Sequence, residues 1–200
     1  MKKGLVIKST GNSYIIKEAD NNTYDCKIRG KFRIEGIQST NPIAVGDWVE
    51  FYPDYTGNKN TGIITNICER KNYIIRKSSK LSKRTHIIAA NIDTAFLIVT
   101  LAYPETSTIF IDRFLITAEA YRIPVNIIFN KIDLYDTATM KHLKELKKIY
   151  KKIGYKCYET SAIKNPDFIG IDIIKNLMKD KINVVSGHSG VGKSALIKRL

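Results

Sequence analysis

Residues 130–133 read Asn130-Lys131-Ile132-Asp133, and residues 187–194 read Gly187-His188-Ser189-Gly190-Val191-Gly192-Lys193-Ser194. The second stretch is G-x-x-x-x-G-K-S. Its glycines let backbone N–H groups curl around a phosphate, Lys193 is suited to bridge β- and γ-phosphates, and the Ser194 hydroxyl is suited to bind Mg²⁺. The first is N-K-x-D, whose carboxylate accepts from the ring N–H and the exocyclic amine of guanine together. Adenine lacks that donor pair and would leave the carboxylate unpaired. An ordinary P-loop domain of this kind carries the phosphate loop first and the base loop last. The reversed order here points to a circularly permuted one.

The surroundings of each motif fit that reading. The apolar run 125–129 places Asn130 at the C-terminal end of a strand, where ligands bind in open α/β sheets. Asn130 is expected at the far edge of the base, with the aliphatic stem of Lys131 over the ring. Thr160-Ser161-Ala162 ends the next expected strand, so Ser161 and the Ala162 backbone N–H join the guanine-binding set. The run 182–185 leads almost directly into Gly187, and Ala195-Leu196-Ile197 continues helically after Ser194, giving the strand–loop–helix context a phosphate loop needs. All eight residues from Gly187 to Ser194 are therefore phosphate-binding candidates, with Ser194 also the Mg²⁺ candidate. His188 fills a variable slot and is given no catalytic role.

From residue 92 onward, apolar strands (93–101, 125–129, 155–159, 182–185) alternate with helical patterns (108–121, 139–152, 168–179). Such alternation predicts a parallel sheet with helices on both faces. In 139–152, Leu143, Leu146 and Ile149 are the candidates for the buried side and the lysines for the wet side. Before residue 76 the pattern is different: five short β-rich runs at 4–8, 13–17, 23–29, 47–52 and 61–68, separated by turn residues. These predict a five-stranded OB-type barrel, with an SH3-like barrel as the alternative. The domains are then 1–76, a polar basic connector at 77–90, and 91–200.

Lys27, Arg29, Lys31 and Arg33 alternate with Cys26, Ile28 and Phe32, so period two gathers four cations on one face. A solvated outer strand face gives the same alternation. The net charge of +14, spread over both halves of the chain, favours a polyanionic partner and makes these four the RNA-binding candidates. No apolar run nears the ~18 residues of a membrane span, and the N-terminus is too short in apolar residues for a signal peptide, so a cytoplasmic protein without membrane contact is expected. Cys26, Cys68 and Cys157, like the three histidines, are too scattered for a disulfide framework or a zinc site.

The motif set resembles the bacterial ribosome-small-subunit-dependent GTPase A family. Val45-Gly46-Asp47-Trp48-Val49, Ala89-Ala90-Asn91-Ile92-Asp93, Ile111-Asp112-Arg113-Phe114-Leu115 and Ile153-Gly154-Tyr155 support it. The resemblance implies a monomeric factor that binds GTP, GDP and Mg²⁺, contacts the small ribosomal subunit and its rRNA late in maturation, and hydrolyses GTP faster on that subunit. It also implies further elements after the phosphate loop: a switch segment with the catalytic residue, a D-x-x-G motif, and a zinc-binding domain that alone would require Zn²⁺. Asp54-Tyr55-Thr56-Gly57 and Asp167-Phe168-Ile169-Gly170 match D-x-x-G only in letters. The sequence is accordingly expected to be a fragment of a longer protein, with its catalytic residues beyond Leu200 and no meaningful hydrolysis by residues 1–200 alone. Strand 182–185 is expected to form an apolar sheet edge. The alternatives are an RNA-binding barrel with a non-hydrolysing nucleotide domain, or a permuted GTPase with another ribosomal target.

Overall fold

The structure, a computed structural model, describes residues 1–11, 13–28, 42–54, 60–77, 85–163 and 169–200. It divides into two compact units, Met1–Ile92 and Asp93–Leu200. In the first, strands β1 (Lys2–Ser9), β2 (Tyr14–Lys17), β3 (Thr23–Ile28), β4 (Trp48–Asp54) and β5 (Thr61–Ile67) close in the order β1-β2-β3-β5-β4. Period two turns alternate residues inward: Val6, Tyr14, Ile16, Tyr24, Cys26, Val49, Phe51 and Ile64 make the core with Ile43. β3 and β5 run parallel, Cys26 opposite Gly62, while β1 closes antiparallel on β4. That connectivity is the OB arrangement and decides between the two barrels the sequence allows. Burial of Cys26 pushes its thiol up to about 12, so it packs as a small apolar side chain.

The second unit holds four parallel strands, β8 (Thr94–Val99), β9 (Val125–Asn130), β10 (Lys156–Thr160) and β11 (Asn183–Ser186), in the order β10-β9-β8-β11. Every residue of β8 and β9 is buried, as a sheet covered on both faces requires. Phe96, Ile98 and Ile128 pack with Ile171 and Ile174 of α3 (Ile171–Met178) and with Val191 and Leu196. The alternate residues Leu97, Ile127 and Phe129 are equally buried on the opposite face, where α1 (Thr108–Ala120) turns in Ile111 and Leu115 and α2 (Thr137–Lys152) turns in Leu143 and Leu146. β11 stands last in the sheet order, and its four residues are half-buried.

Two helix details differ from expectation. α2 starts at Thr137 because the Asp136 carboxylate caps it, accepting from the Thr139 N–H at 2.8 Å, and those backbone bonds lower the Asp136 pKa. Its buried stripe is Leu143, Leu146 and Tyr150, spaced i, i+3, i+7, whereas Ile149 is 55% exposed. Tyr150 ends in a hydrogen bond to Asp112 of α1, at 3.0 Å.

The expected connector at 77–90 also needs correcting. Strand β7 (Thr85–Ala90) pairs antiparallel with β6 (Tyr73–Lys77), and both belong to the first unit. The apolar runs Tyr73-Ile74-Ile75 and Ile87-Ile88-Ala89-Ala90 carry this pairing, and the charged stretch between them masked it. Residues 78–84 lie outside the described residues. Asn72 and Asn91 fasten the hairpin: Asn72 exchanges two bonds with the Ile92 backbone, at 2.7 and 2.9 Å, and the Asn91 amide reaches the Gly46 carbonyl at 2.9 Å.

Beside Gly46, the Asp47 carboxylate is fully buried and receives Arg70 through both oxygens at 2.6 Å, with the Ala44 N–H adding a third bond at 2.8 Å. Arg70 also donates to the Pro42 carbonyl at 2.8 Å. Removing the guanidinium strands a buried carboxylate, so Arg70→Met should cost about 3–5 kcal/mol of barrel stability. Urea unfolding followed by fluorescence of Trp48, the single tryptophan of the chain, should show it, and Asp47→Asn added to Arg70→Met should recover part of the loss.

Candidate nucleotide-binding site

Both motifs stand at the C-terminal ends of the parallel strands. β9 ends at Asn130 and β10 at Thr160, which face each other in register. The Thr160 hydroxyl donates to Asn130 Oδ1 at 2.9 Å, and Asn130 Nδ2 donates to the Val191 carbonyl, also at 2.9 Å. Only 1% exposed, the Asn130 amide is thus used inside the protein as a tie between the two motifs. The expectation of a residue reaching the far edge of a base is met at most by its second N–H.

Beyond Asn130 the chain turns sharply. Lys131 takes the left-handed conformation, with φ at 62°, and Ile132–Leu134 form one 3-10 turn carrying Asp133. Asp133 Oδ1 accepts from the Ser161 hydroxyl at 2.5 Å, which orients the carboxylate while both oxygens keep acceptor capacity. Ser161 is buried and Ala162 half-buried beside it. Three of the five base-side candidates, Asn130, Asp133 and Ser161, are therefore held by named bonds, and the Lys131 ammonium reaches the Tyr103 carbonyl at 2.6 Å.

The phosphate-loop candidates follow β11 and lead into α4 (Lys193–Ile197). Two glycines are demanded by close approach. A Cβ on Gly192 (φ +91°) would lie 2.5 Å from Asn130 Nδ2, and one on Gly187 (φ +149°) 2.2 Å from the Ile98 carbonyl oxygen. Val191 is fully buried in the sheet's core cluster, while His188, Ser189, Gly190 and Ser194 are exposed. Lys193 Nζ arches back over the loop, donating to the Gly187 and His188 carbonyls at 2.9 and 2.6 Å. The His188 ring packs on Phe110 of α1, centroids 3.8 Å apart and planes tilted by 53°. The loop that carries the Lys193 ammonium and the Ser194 hydroxyl is thus tied, through Val191 and Asn130, to the turn that carries an oriented carboxylate. That donor set matches a phosphorylated purine and a hard divalent cation at Ser194.

Sequence reasoning missed several contributors. Thr160 was visible in the T-S-A tripeptide but carried no assigned role; Tyr103 and Phe110 had no motif to mark them. Of the RNA-binding candidates, Lys27 is exposed on β3, whereas Arg29, Lys31 and Arg33 lie outside the described residues. Among the described residues no helix is long and apolar enough to cross a membrane.

Comparison with known proteins assigns the fold to a family. Residues 67–200 match the family model for the RsgA GTPase, and residues 3–64 match that for the RsgA N-terminal domain. The small ribosomal subunit biogenesis GTPase RsgA of Phocaeicola vulgatus is 54% identical over 198 residues, which is 99% of this chain and 62% of that protein. The protein of the same name from Flavobacterium johnsoniae is 52% identical over 197 residues, covering 98% of this chain and 60% of its own length. Among solved structures, YjeQ from Thermotoga maritima superposes with a TM-score of 0.80 at 37% identity, covering 99% of this chain and 64% of that one. YloQ, described as a circularly permuted GTPase, gives 0.74 at 31%, covering 98% and 63%. The chain therefore spans about three-fifths of the length of these relatives. A barrel in front, a permuted nucleotide fold behind and matches across nearly every residue lead to one conclusion: the chain belongs to the RsgA GTPase family.

Proposed function

We propose that this chain forms the guanine-nucleotide-binding and RNA-binding portion of a GTPase that acts in late maturation of the small ribosomal subunit. The observation that carries the reading is the Asn130–Val191 bond, which locks a base-reading turn against a phosphate loop. In this reading Asn130, Lys131, Asp133, Ser161 and Ala162 surround guanine, and Gly187 to Lys193 surround the phosphates. Ser194 would hold Mg²⁺, which would supply charge neutralisation for the phosphates. The whole protein turns GTP into GDP and phosphate, faster on the subunit, as a cytoplasmic monomer. The barrel formed by β1–β5 is the rRNA-facing part.

Asp133→Asn should shift preference from GTP toward XTP, because xanthine offers an acceptor where guanine has its amine. Competition binding with GTP, XTP and ATP measures this, and an unchanged GTP preference would overturn the assignment. Lys193→Ala should weaken triphosphate binding by about 1.5–3 kcal/mol, the worth of a charge-assisted contact, with a melting temperature close to that of the unaltered chain. Replacing Lys27, Arg29, Lys31 and Arg33 together should flatten the dependence of RNA affinity on salt by about 0.7 per lost phosphate contact on the log–log slope. Superimposable lines would make this face merely solvated.

A further inference from the structure

We propose that Tyr135 is a positioning residue for guanine recognition, its hydroxyl clasping the base-reading turn at both ends. The proposal rests on the guanine-site reading above. β8 and β9 pair in register from Ala95 opposite Val125 to Val99 opposite Phe129. Past that last pair the two chains part. One enters the turn closed by the Thr106 N–H on the Thr100 carbonyl at 2.8 Å, and the other bends left-handed at Lys131. At the point of parting, the Tyr135 hydroxyl accepts from the Leu101 N–H at 2.8 Å and donates to the Asn130 carbonyl at 2.8 Å. One phenol thus satisfies a donor on one strand end and an acceptor on the other, where direct pairing has stopped.

The consequence for the site follows from which residues lie between. Asn130 opens the turn and Tyr135 closes it, so the side-chain-to-backbone bond makes residues 130–135 a closed ring with Asp133 inside. Backbone bonds within the ring, Leu134 N–H to Lys131 carbonyl at 3.0 Å and Tyr135 N–H to Ile132 carbonyl at 3.2 Å, stiffen it further. A second leg reaches the same neighbour: the Lys131 ammonium donates to the Tyr103 carbonyl, two residues beyond Leu101. Burial pushes the Tyr135 phenol pKa up, so the hydroxyl keeps its proton and its donor role under ordinary conditions. Without it, the Asn130 carbonyl at a 1% exposed residue loses a partner, and the turn loses the tie that sets the Asp133 carboxylate against the Ser161 hydroxyl.

The test is Tyr135→Phe in the 200-residue chain, which keeps the ring and removes the hydroxyl. GDP, IDP and ADP affinities are measured by calorimetry, because IDP lacks the exocyclic amine that Asp133 reads. GDP should bind about three- to tenfold more weakly, the range of one hydrogen bond. IDP should lose less, so that the GDP-to-IDP ratio narrows. A purely structural role would lower stability without changing that ratio. Wild-type discrimination of GDP from IDP that survives unchanged in the variant overturns the role of Tyr135 alone. Equal GDP and ADP affinities in the wild type overturn the guanine site and this proposal with it. Amide hydrogen exchange gives a readout that needs no variant and no nucleotide: the Leu101 amide should be protected in the wild-type chain and lose protection in Tyr135→Phe, and a fast-exchanging wild-type Leu101 amide refutes the clasp.

Discussion

A single buried amide holds the second unit's ligand face together. Asn130 gives its nitrogen to the Val191 carbonyl and takes the Thr160 hydroxyl on its oxygen, joining the ends of β9 and β10 to a loop some sixty residues later in the chain. A buried amide group satisfied on both ends is worth keeping; one left with an orphaned end costs more than the bond contributes. The constraint runs outward from there. Gly192 has no room for a Cβ because that amide lies 2.5 Å away, and Val191 must be apolar because its side chain lies in the sheet's core while its carbonyl faces Asn130.

The same economy appears in the first unit, where a buried carboxylate plays the organising part. Asp47 gathers Arg70 and the Ala44 N–H at a point where β4 begins, and the neighbouring Gly46 carbonyl receives Asn91. Polar groups in such places fix which segments meet, while the apolar cores of the barrel and the sheet supply the driving force without specifying partners. Each unit therefore combines an undirected core with one directed, fully satisfied polar junction.

Much of this architecture was legible in the residues. Short β-rich runs bounded by turn residues located all five barrel strands, since both leave a local trace in sequence. The phosphate loop was legible because close approach of backbone to phosphate restricts its glycines, and N-K-x-D because a carboxylate after a strand end matches the donor pair of guanine. The β6–β7 hairpin was not, because its strands are short and its middle is charged, so composition outweighed two brief isoleucine runs. Ile149 and Tyr150 exchanged places for a similar reason: hydropathy favours isoleucine, but the helical angle favours position 150, and the Asp112 partner that satisfies its hydroxyl is 38 residues away. Tyr135 carries no motif at all. Its hydrogen bonds depend on where two strands part, which is a property of three-dimensional register and leaves no local pattern.

The pairing of β8 with β11 has a further consequence in time. Asp93 and Ile182, 89 positions apart, meet at the start of that ladder: the Asp93 N–H donates to the Ile182 carbonyl and the Ile182 N–H to the Asp93 carboxylate. On a ribosome adding about 5–20 residues per second, the base-reading strands emerge and can pair several seconds before the strand that delivers the phosphate loop. Closing so long a loop is slow compared with the neighbouring β8–β9 step. Nascent chains will therefore pass through a stage in which the base-side loops are shaped and one flank of β8 still lacks its neighbour, an apolar ladder exposed for as long as synthesis takes to reach Ser186. The permuted order thus places a vulnerable interval of folding between the shaping of the base-side loops and the arrival of the phosphate loop.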